Sequence, residues 1–123
     1  VEMENGLTLE IWNKSKAIAG DRWKVSVVAQ VEVPLVKAFE KMGETFPDSL
    51  VQVRDLLGDS AVFEKKMERF FIDEKEKEDL KRELVESLFE TVFPYLSRPK
   101  FAKRFILAEY EKTRKRKAIY GNP

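Results

Sequence analysis

The most regular pattern in this chain is the sequence WKVSVVAQVEV at residues 23–33. Apolar side chains occupy the odd positions, and mostly polar side chains occupy the even ones. A period of two residues is typical of a β-strand with one buried face. Pro34 follows and cannot donate a backbone hydrogen bond, so the strand is expected to end there.

The residues before this strand predict its partner in a β-hairpin that spans residues 7–33. Leu7, Leu9 and Ile11 also alternate, and Gly20-Asp21 is a favourable turn sequence. The sequence therefore predicts an N-terminal two-stranded antiparallel hairpin.

The register of this hairpin follows from matching the apolar positions. A strict two-residue turn would place Glu10 opposite Val31 and mix the two faces, which is unfavourable. A shift by one residue places Leu9 opposite Val31 or Val33. We therefore expect a longer loop, or a β-bulge within residues 12–19.

Beyond Pro34 the apolar residues recur mostly at helical spacing. The first predicted helix carries Val36, Phe39 and Met42 and ends at Gly43. The second is capped by Asp48 and runs to Leu57. The third is capped by Asp59 or Ser60, and its apolar stripe consists of Val62, Phe63, Met67, Phe70 and Phe71. Val51 and Val53 also allow a third strand over residues 50–54.

Two further helices are predicted near the C-terminus. Asp73 and Glu76 have the spacing of a capping box, and a long apolar stripe follows until Pro94, which should stop or kink the helix. The last helix restarts at Ser97-Arg98-Pro99, with the proline near its first turn, and Gly121 follows its frayed end. The fold class is therefore α+β, a single domain over residues 1–123 with the hairpin packed on four to five helices.

The charge is divided along the chain. Residues 1–96 contain 14 Lys and Arg against 20 Asp and Glu, whereas residues 97–123 contain 9 against 2. We name Lys112–Lys117 the basic segment; its cations are Lys112, Arg114, Lys115, Arg116 and Lys117. They are candidate contacts for nucleic acid or for an acidic partner, because phosphate binding needs such clusters. The alternative is a solubilising end of the chain that complements a helix dipole. Residues 112–123 are expected to form a basic, frayed tail.

Composition limits the chemistry that this chain can perform. It contains no His and no Cys, so the usual catalytic triads and structural zinc sites cannot form. We assign no catalytic residue, cofactor or metal ligand. We expect a binding protein rather than an enzyme. A carboxylate-based enzyme or small-ligand site between hairpin and helices remains an alternative. Acidic residues four apart, the pairs Glu40/Glu44, Glu64/Glu68 and Glu86/Glu90, are expected on solvated helix faces.

The hairpin also suggests how the chain assembles. Val28 lies on the strand face opposite Val27, and a strand that is apolar on both faces is usually covered on both. This pattern favours a homodimer built on the hairpin, with Val28 in the contact; the alternative is a monomer whose own helices wrap the hairpin. Because catalytic signals are missing, we predict a non-enzymatic interaction or assembly module. The polar N-terminal residues do not resemble a signal peptide, and no apolar run is long enough for a membrane span. We expect a cytoplasmic location and no membrane partner.

Overall fold

The computed structural model describes residues 1–39 and 48–120, and these ranges form four strands and four helices. The elements are β1 (Leu9–Asn13), β2 (Lys16–Ala19), β3 (Arg22–Pro34), α1 (Leu35–Phe39), α2 (Leu50–Leu57), β4 (Ser60–Asp73), α3 (Lys77–Leu96) and α4 (Phe101–Tyr120). The antiparallel sheet with its helices confirms the α+β class. The predicted two-stranded hairpin was too small, because the sheet has four strands.

Strand β3 is hydrogen-bonded to all three other strands. Strands β1 and β2 follow each other along one of its edges, and Leu9 lies opposite Val31, which is one of the two predicted registers. Gly20 occupies the turn with a φ of 55°. Glycine adopts this conformation without steric cost. The alternating pattern of residues 23–33 therefore identified the central strand correctly.

The predicted irregularity within residues 12–19 separates β1 from β2. Lys14 N still donates to Ser26 O at 2.8 Å, but Ser26 N donates to the Ser15 hydroxyl at 3.0 Å. A second shift lies between Ala17 and Ala19. The Ser15 side chain thus replaces a backbone carbonyl at the break and leaves the strand's donor satisfied.

Residues 60–73 are strand β4, so the helix predicted there is wrong. The half-buried side chains include Phe63 and Met67, whereas Val62 and Phe70 are exposed. Two side-chain hydrogen bonds, from Gln30 to Glu64 and from Ser26 to Glu68, connect β3 and β4 in an antiparallel register. The apolar residues fitted a helical stripe, but pairing with β3 overrides that local preference.

The backbone of Phe71 indicates a bulge in strand β4. Glu74 N donates to Asp21 O at 2.9 Å, a pairing shifted by one residue from the spacing of the Gln30–Glu64 and Ser26–Glu68 side-chain contacts. Phe71 has a φ of 58°, and it is 69% exposed. A positive φ is uncommon for a residue with a side chain. The extra residue therefore turns an aromatic side chain outward next to the exposed Phe70.

Helix α2 is present, but its cap differs from the predicted one. Ser49, not Asp48, occupies the N-cap, and its hydroxyl accepts from Gln52 N while the Gln52 side chain accepts from Ser49 N. This is a complete capping box. Val53 is buried, Gly58 follows the helix, and the alternative of a strand over residues 50–54 is excluded.

Helix α1 includes the predicted Val36 and Phe39. Met42 and Gly43, predicted to continue and end that helix, lie outside the described residues, as does Gly121. Their predicted roles stay predictions.

Helix α3 begins later than predicted and passes through its proline. Glu76 is the N-cap but makes no side-chain capping bond, and Asp73 accepts from Lys75 N in the preceding turn. Pro94 does not stop the helix, which continues to Leu96. The Asn5 side chain donates to the Leu96 carbonyl at 2.7 Å. This bond satisfies one of the acceptors that a helix end leaves open.

The chain divides into two compact units, each with its own buried side chains. The first comprises residues 1–31 and 64–98, and the second comprises residues 32–63 and 99–123. The first buries the apolar side chains of Met3, Leu7, Leu9, Val25, Val27, Val28, Ala29, Val31, Leu84, Leu88, Val92 and Leu96. The second buries Val33, Leu35, Ala38, Val53, Phe101, Ala102, Phe105, Ile106 and Tyr110. In the first unit, α3 contacts β1, and this pair positions the surface described next.

Candidate interaction surfaces

The basic segment belongs to helix α4, which continues to Tyr120. Two of its cations are paired: Lys112 lies 3.8 Å from Glu109, and Arg114 lies 3.2 Å from Glu111. Arg114 also approaches Asp48 at 3.9 Å. The cations that form no ion pair with a described residue are Lys115, Arg116 and Lys117. These three exposed side chains carry the charge that is open to a partner.

A polar contact ties α4 to the residue before the α2 cap. The Tyr110 hydroxyl donates to Asp48, and Arg114 lies 5.6 Å from the centre of the tyrosine ring. The hydrogen bond to Asp48 raises the pKa of Tyr110 above its usual range, because it favours the protonated phenol. The contact therefore holds the helix in place just before the basic segment begins.

Val28 lies on the outer face of the sheet, which we define as the face of the even-numbered β3 residues. It is opposite Trp12 of β1 and is 5% exposed in the single chain, whereas Trp12 is 46% exposed. Lys14 lies 5.5 Å from the centre of a Trp12 ring. Val28 therefore offers little surface of its own, and self-association through it stays a prediction.

A polar cluster occupies the same outer face. The buried Ser26 hydroxyl donates to Glu68 at 3.0 Å, and Lys24 lies 3.4 Å from the same carboxylate. These contacts, the Ser26 bond first, lower the pKa of Glu68. The cluster stabilises an ionised carboxylate and satisfies a buried hydroxyl, which is a structural role.

A groove runs along β1 in the first unit, and we name it the edge groove. Its volume is about 590 Å³, and its lining is mostly apolar. The lining residues are Val1, Leu9, Glu10, Ile11, Trp12, Val85, Glu86, Phe89 and Glu90. Residues from both sheet faces contribute, so the groove lies at the outer edge of β1 and beside α3.

The backbone at this edge is only partly paired. Val1 and Leu9 exchange two backbone hydrogen bonds, at 2.7 and 2.8 Å, on the side of β1 away from β3. Because strand residues alternate, the N–H and C=O of Ile11 point the same way. Among the described residues they have no hydrogen-bond partner. The groove therefore includes an open donor and acceptor on an edge strand.

The carboxylates of the edge groove are also unpaired. Glu10, Glu86 and Glu90 form no ion pair with any residue in the described ranges. Glu86 and Glu90 were expected on a solvated helix face, and both are exposed, but they share the rim of one groove. The groove is acidic as well as apolar.

The other two acidic pairs have different positions. Glu64 and Glu68 lie on strand β4, so their helical spacing has no structural meaning, and each binds a side chain of β3. Glu40 and Glu44 lie outside the described residues.

Two carboxylates in the described ranges have shifted pKa values. Glu68 and Glu78 have lowered pKa values, Glu78 through its hydrogen bond with Lys81, so both are held ionised. A general acid at neutral pH needs the opposite shift. Within residues 1–39 and 48–120, no three His, Cys, Asp or Glu side chains lie close enough to hold a metal ion.

The edge groove was not visible in the sequence. Its two sides, β1 and α3, come from distant parts of the chain. Periodicity within one segment does not show which distant segments pack together. The one available signal for the groove in the sequence was the pair of acidic residues Glu86 and Glu90, four positions apart. That pair became informative only when β1 was known to be an edge strand.

Known proteins add no constraint on these surfaces. None of the described helices combines the length and apolar character needed to cross a bilayer. No family profile, curated protein or solved structure matches the chain.

Proposed function

We propose that this chain is a non-enzymatic interaction module and that the edge groove is its binding surface. The observation that carries the proposal is the coincidence of three features among the described residues: an Ile11 backbone without a hydrogen-bond partner, an apolar floor and an acidic rim without ion pairs. Native proteins usually cover, charge or distort an open strand edge, because it invites pairing with another chain. Among the described residues, the Ile11 backbone has no partner beside this apolar surface.

The acidic rim favours a partner unlike this chain. Two copies that met at their β1 edges would bring six carboxylates together, from Glu10, Glu86 and Glu90 of each copy. Like charges placed together oppose association. A homodimer through Val28 gains no support from its 5% exposure either.

Partner capture with matched variants tests the proposal. Val85→Lys adds one positive charge in the groove, and Glu83→Lys changes the charge by two units at an exposed position of α3 that does not line it. Circular dichroism of both variants is the check that they fold. The expected result is a bound protein that Val85→Lys loses and Glu83→Lys retains. Identical binding by the two variants would overturn the proposal.

Nucleic-acid binding is a second candidate, supported by Lys115, Arg116 and Lys117, which form no ion pair with any described residue. Each phosphate contact on duplex DNA contributes about −0.9 to the slope of log K against log salt. Three contacts give a slope of about −2.7 and a loss of about 40-fold in affinity between about 50 and 200 mM salt. Five contacts would give a loss of about 500-fold.

The salt series therefore distinguishes which cations take part. A loss of about 40-fold means that Lys112 and Arg114 keep their carboxylate partners. Replacement of Lys115, Arg116 and Lys117 by Gln should then abolish the salt dependence. Failure of the wild-type chain to bind a generic duplex at about 50 mM salt would remove this candidate.

A further inference from the structure

We infer that the outer face of the sheet binds single-stranded nucleic acid, with bases stacked on Trp12 and Phe70 and phosphates held by the lysines between them. The inference goes beyond the proposed function, because it concerns a face of the sheet and not the edge groove. All of its residues belong to the first compact unit.

The first step concerns the cations of the outer face. A depression of about 300 Å³ lies there, and its lining includes Lys14, Lys24 and Lys66. Lys16 lies directly opposite Lys24 in the pairing of β2 with β3, so it shares this face. Like charges placed directly opposite each other destabilise a sheet. Four lysines grouped in this way favour an anionic ligand.

The second step concerns the carboxylates of the depression. Each accepts a hydrogen bond from a β3 side chain, at 2.7 Å for Glu64 and at 3.0 Å for Glu68. Lys24 is engaged as well, 3.4 Å from Glu68. The lysines of this face that form no ion pair with a described residue are Lys14, Lys16 and Lys66. The charge that remains open to a ligand is therefore positive.

The third step concerns two aromatic rings on the same face. Trp12 of β1 is 46% exposed, and Phe70 of β4 is 56% exposed. Ser26 of β3 contacts Glu68 of β4. Two residues further along this antiparallel pair, Phe70 lies opposite Lys24. Exposed rings beside cations form the surfaces on which the bases of single strands stack.

The spacing of the rings suits a short strand. Trp12 lies opposite Val28, which is four residues from Lys24 along β3, and β1 and β4 lie on opposite sides of β3. Residues of a strand are about 3.3 Å apart and neighbouring strands about 4.8 Å, so the two rings are about 16 Å apart. Sites for single strands hold about 4–16 nucleotides, and this separation fits the short end of that range.

The rings also favour a single strand over other anions. In a duplex the bases are paired and stacked on each other, so their faces are closed to Trp12 and Phe70. A run of acidic residues would satisfy the lysines but not the rings. Glu10 and Glu64 lie beside Gln30 at the other end of the face, so they confine a strand to the half that holds the lysines.

Fluorescence anisotropy with a labelled oligonucleotide tests the inference on the full chain. The probe is a single strand of mixed sequence and about 12 nucleotides. Its controls are an abasic strand of the same length, the matching duplex and a poly-Glu peptide. We expect a Kd of about 1–100 µM for the single strand at about 50 mM salt. Binding should be at least about tenfold weaker for each control.

Paired variants locate the site. Phe70→Leu stays apolar but lacks the ring, so we expect it to raise the Kd at least about fivefold, whereas Phe70→Tyr changes it less than about twofold. Three lysines on a single strand give a slope of log K against log salt of about −2.1. Lys66→Gln should reduce this slope to about −1.4. Lys65→Gln makes the same charge change at an exposed neighbour that does not line the depression, and it should leave the slope unchanged.

The basic segment is kept out of the comparison by repeating each measurement with Lys115, Arg116 and Lys117 replaced by Gln. Loss of all binding in that background overturns the inference and favours the end of α4. Equal binding of the intact and abasic strands, or equal slopes for Lys66→Gln and Lys65→Gln, also overturns it. Poly-Glu bound as tightly as the single strand overturns it in favour of an acidic protein. Partner capture through Val85 is a separate result, because Val85 belongs to α3.

Discussion

Replacing Phe71 by Gly and by Ala tests the bulge in β4. Both substitutions remove the same aromatic ring, so their difference reports the backbone. Phe71 has a φ of 58°. A residue with a Cβ in this left-handed region costs about 1–2 kcal/mol, which Gly avoids. Gly loses about 0.5–1 kcal/mol relative to Ala through the entropy of the unfolded chain. We therefore expect Phe71→Gly to be more stable than Phe71→Ala by about 0.5–1 kcal/mol.

Phe70 supplies the matched control, because it is also exposed but has no left-handed backbone. There Ala should be more stable than Gly by about 0.5–1 kcal/mol. Urea denaturation of the four variants gives both differences, and thermal melts should show shifts of about 4 °C per kcal/mol. A Phe71→Ala variant as stable as Phe71→Gly, or more stable, would refute the bulge. It would instead favour the helix that the sequence suggested for residues 60–71.

Three further outcomes can be measured on the same chain. Ser49→Ala should destabilise it by about 1 kcal/mol in urea, because it removes the α2 cap; a loss below about 0.3 kcal/mol would contradict that role. Glu68 has a pKa lowered from 4.5, so its contribution to stability is present above the unfolded pKa and is lost as the pH falls through the folded value. Ser26→Ala should raise that pKa in an NMR titration, and an unchanged value would contradict the contact. Truncation after Glu111 removes mostly exposed side chains and should lower the melting temperature by only a few degrees; a larger loss would show that the end of α4 supports the fold.

The central strand and the longest apolar helix stripe could be predicted from the sequence because each has one dominant period. In residues 23–33 every second side chain is apolar, and in residues 80–93 apolar side chains recur every three or four positions. Local pattern and tertiary packing agree in both places, so the prediction needs no knowledge of neighbours.

Strand β4 could not be predicted because its pattern fits two structures. Phe63 and Met67 are four residues apart, which suits a helix face, but an even separation also suits one face of a strand. The bulge at Phe71 adds an exposed aromatic residue where an alternating pattern would predict an inward one. Pairing with the second edge of β3 determines that these residues form a strand and not a helix.

The edge groove depends on topology in the same way. Ile11 looked like an ordinary core-facing residue of a hairpin, and its backbone became significant only because it has no hydrogen-bond partner among the described residues. The basic segment, by contrast, is a property of the sequence alone, although the structure divides its cations into paired and unpaired ones.

Amide hydrogen exchange at Ile11 tests the central claim most directly. In the free chain the Ile11 amide should exchange at least about tenfold faster than that of Trp12, because the Trp12 amide points toward β3. Saturation with a partner captured through the edge groove should slow exchange of the Ile11 amide to a similar rate and leave the Trp12 amide unchanged. An Ile11 amide already as protected as that of Trp12 in the free chain, or one that the bound partner does not slow, would contradict the account.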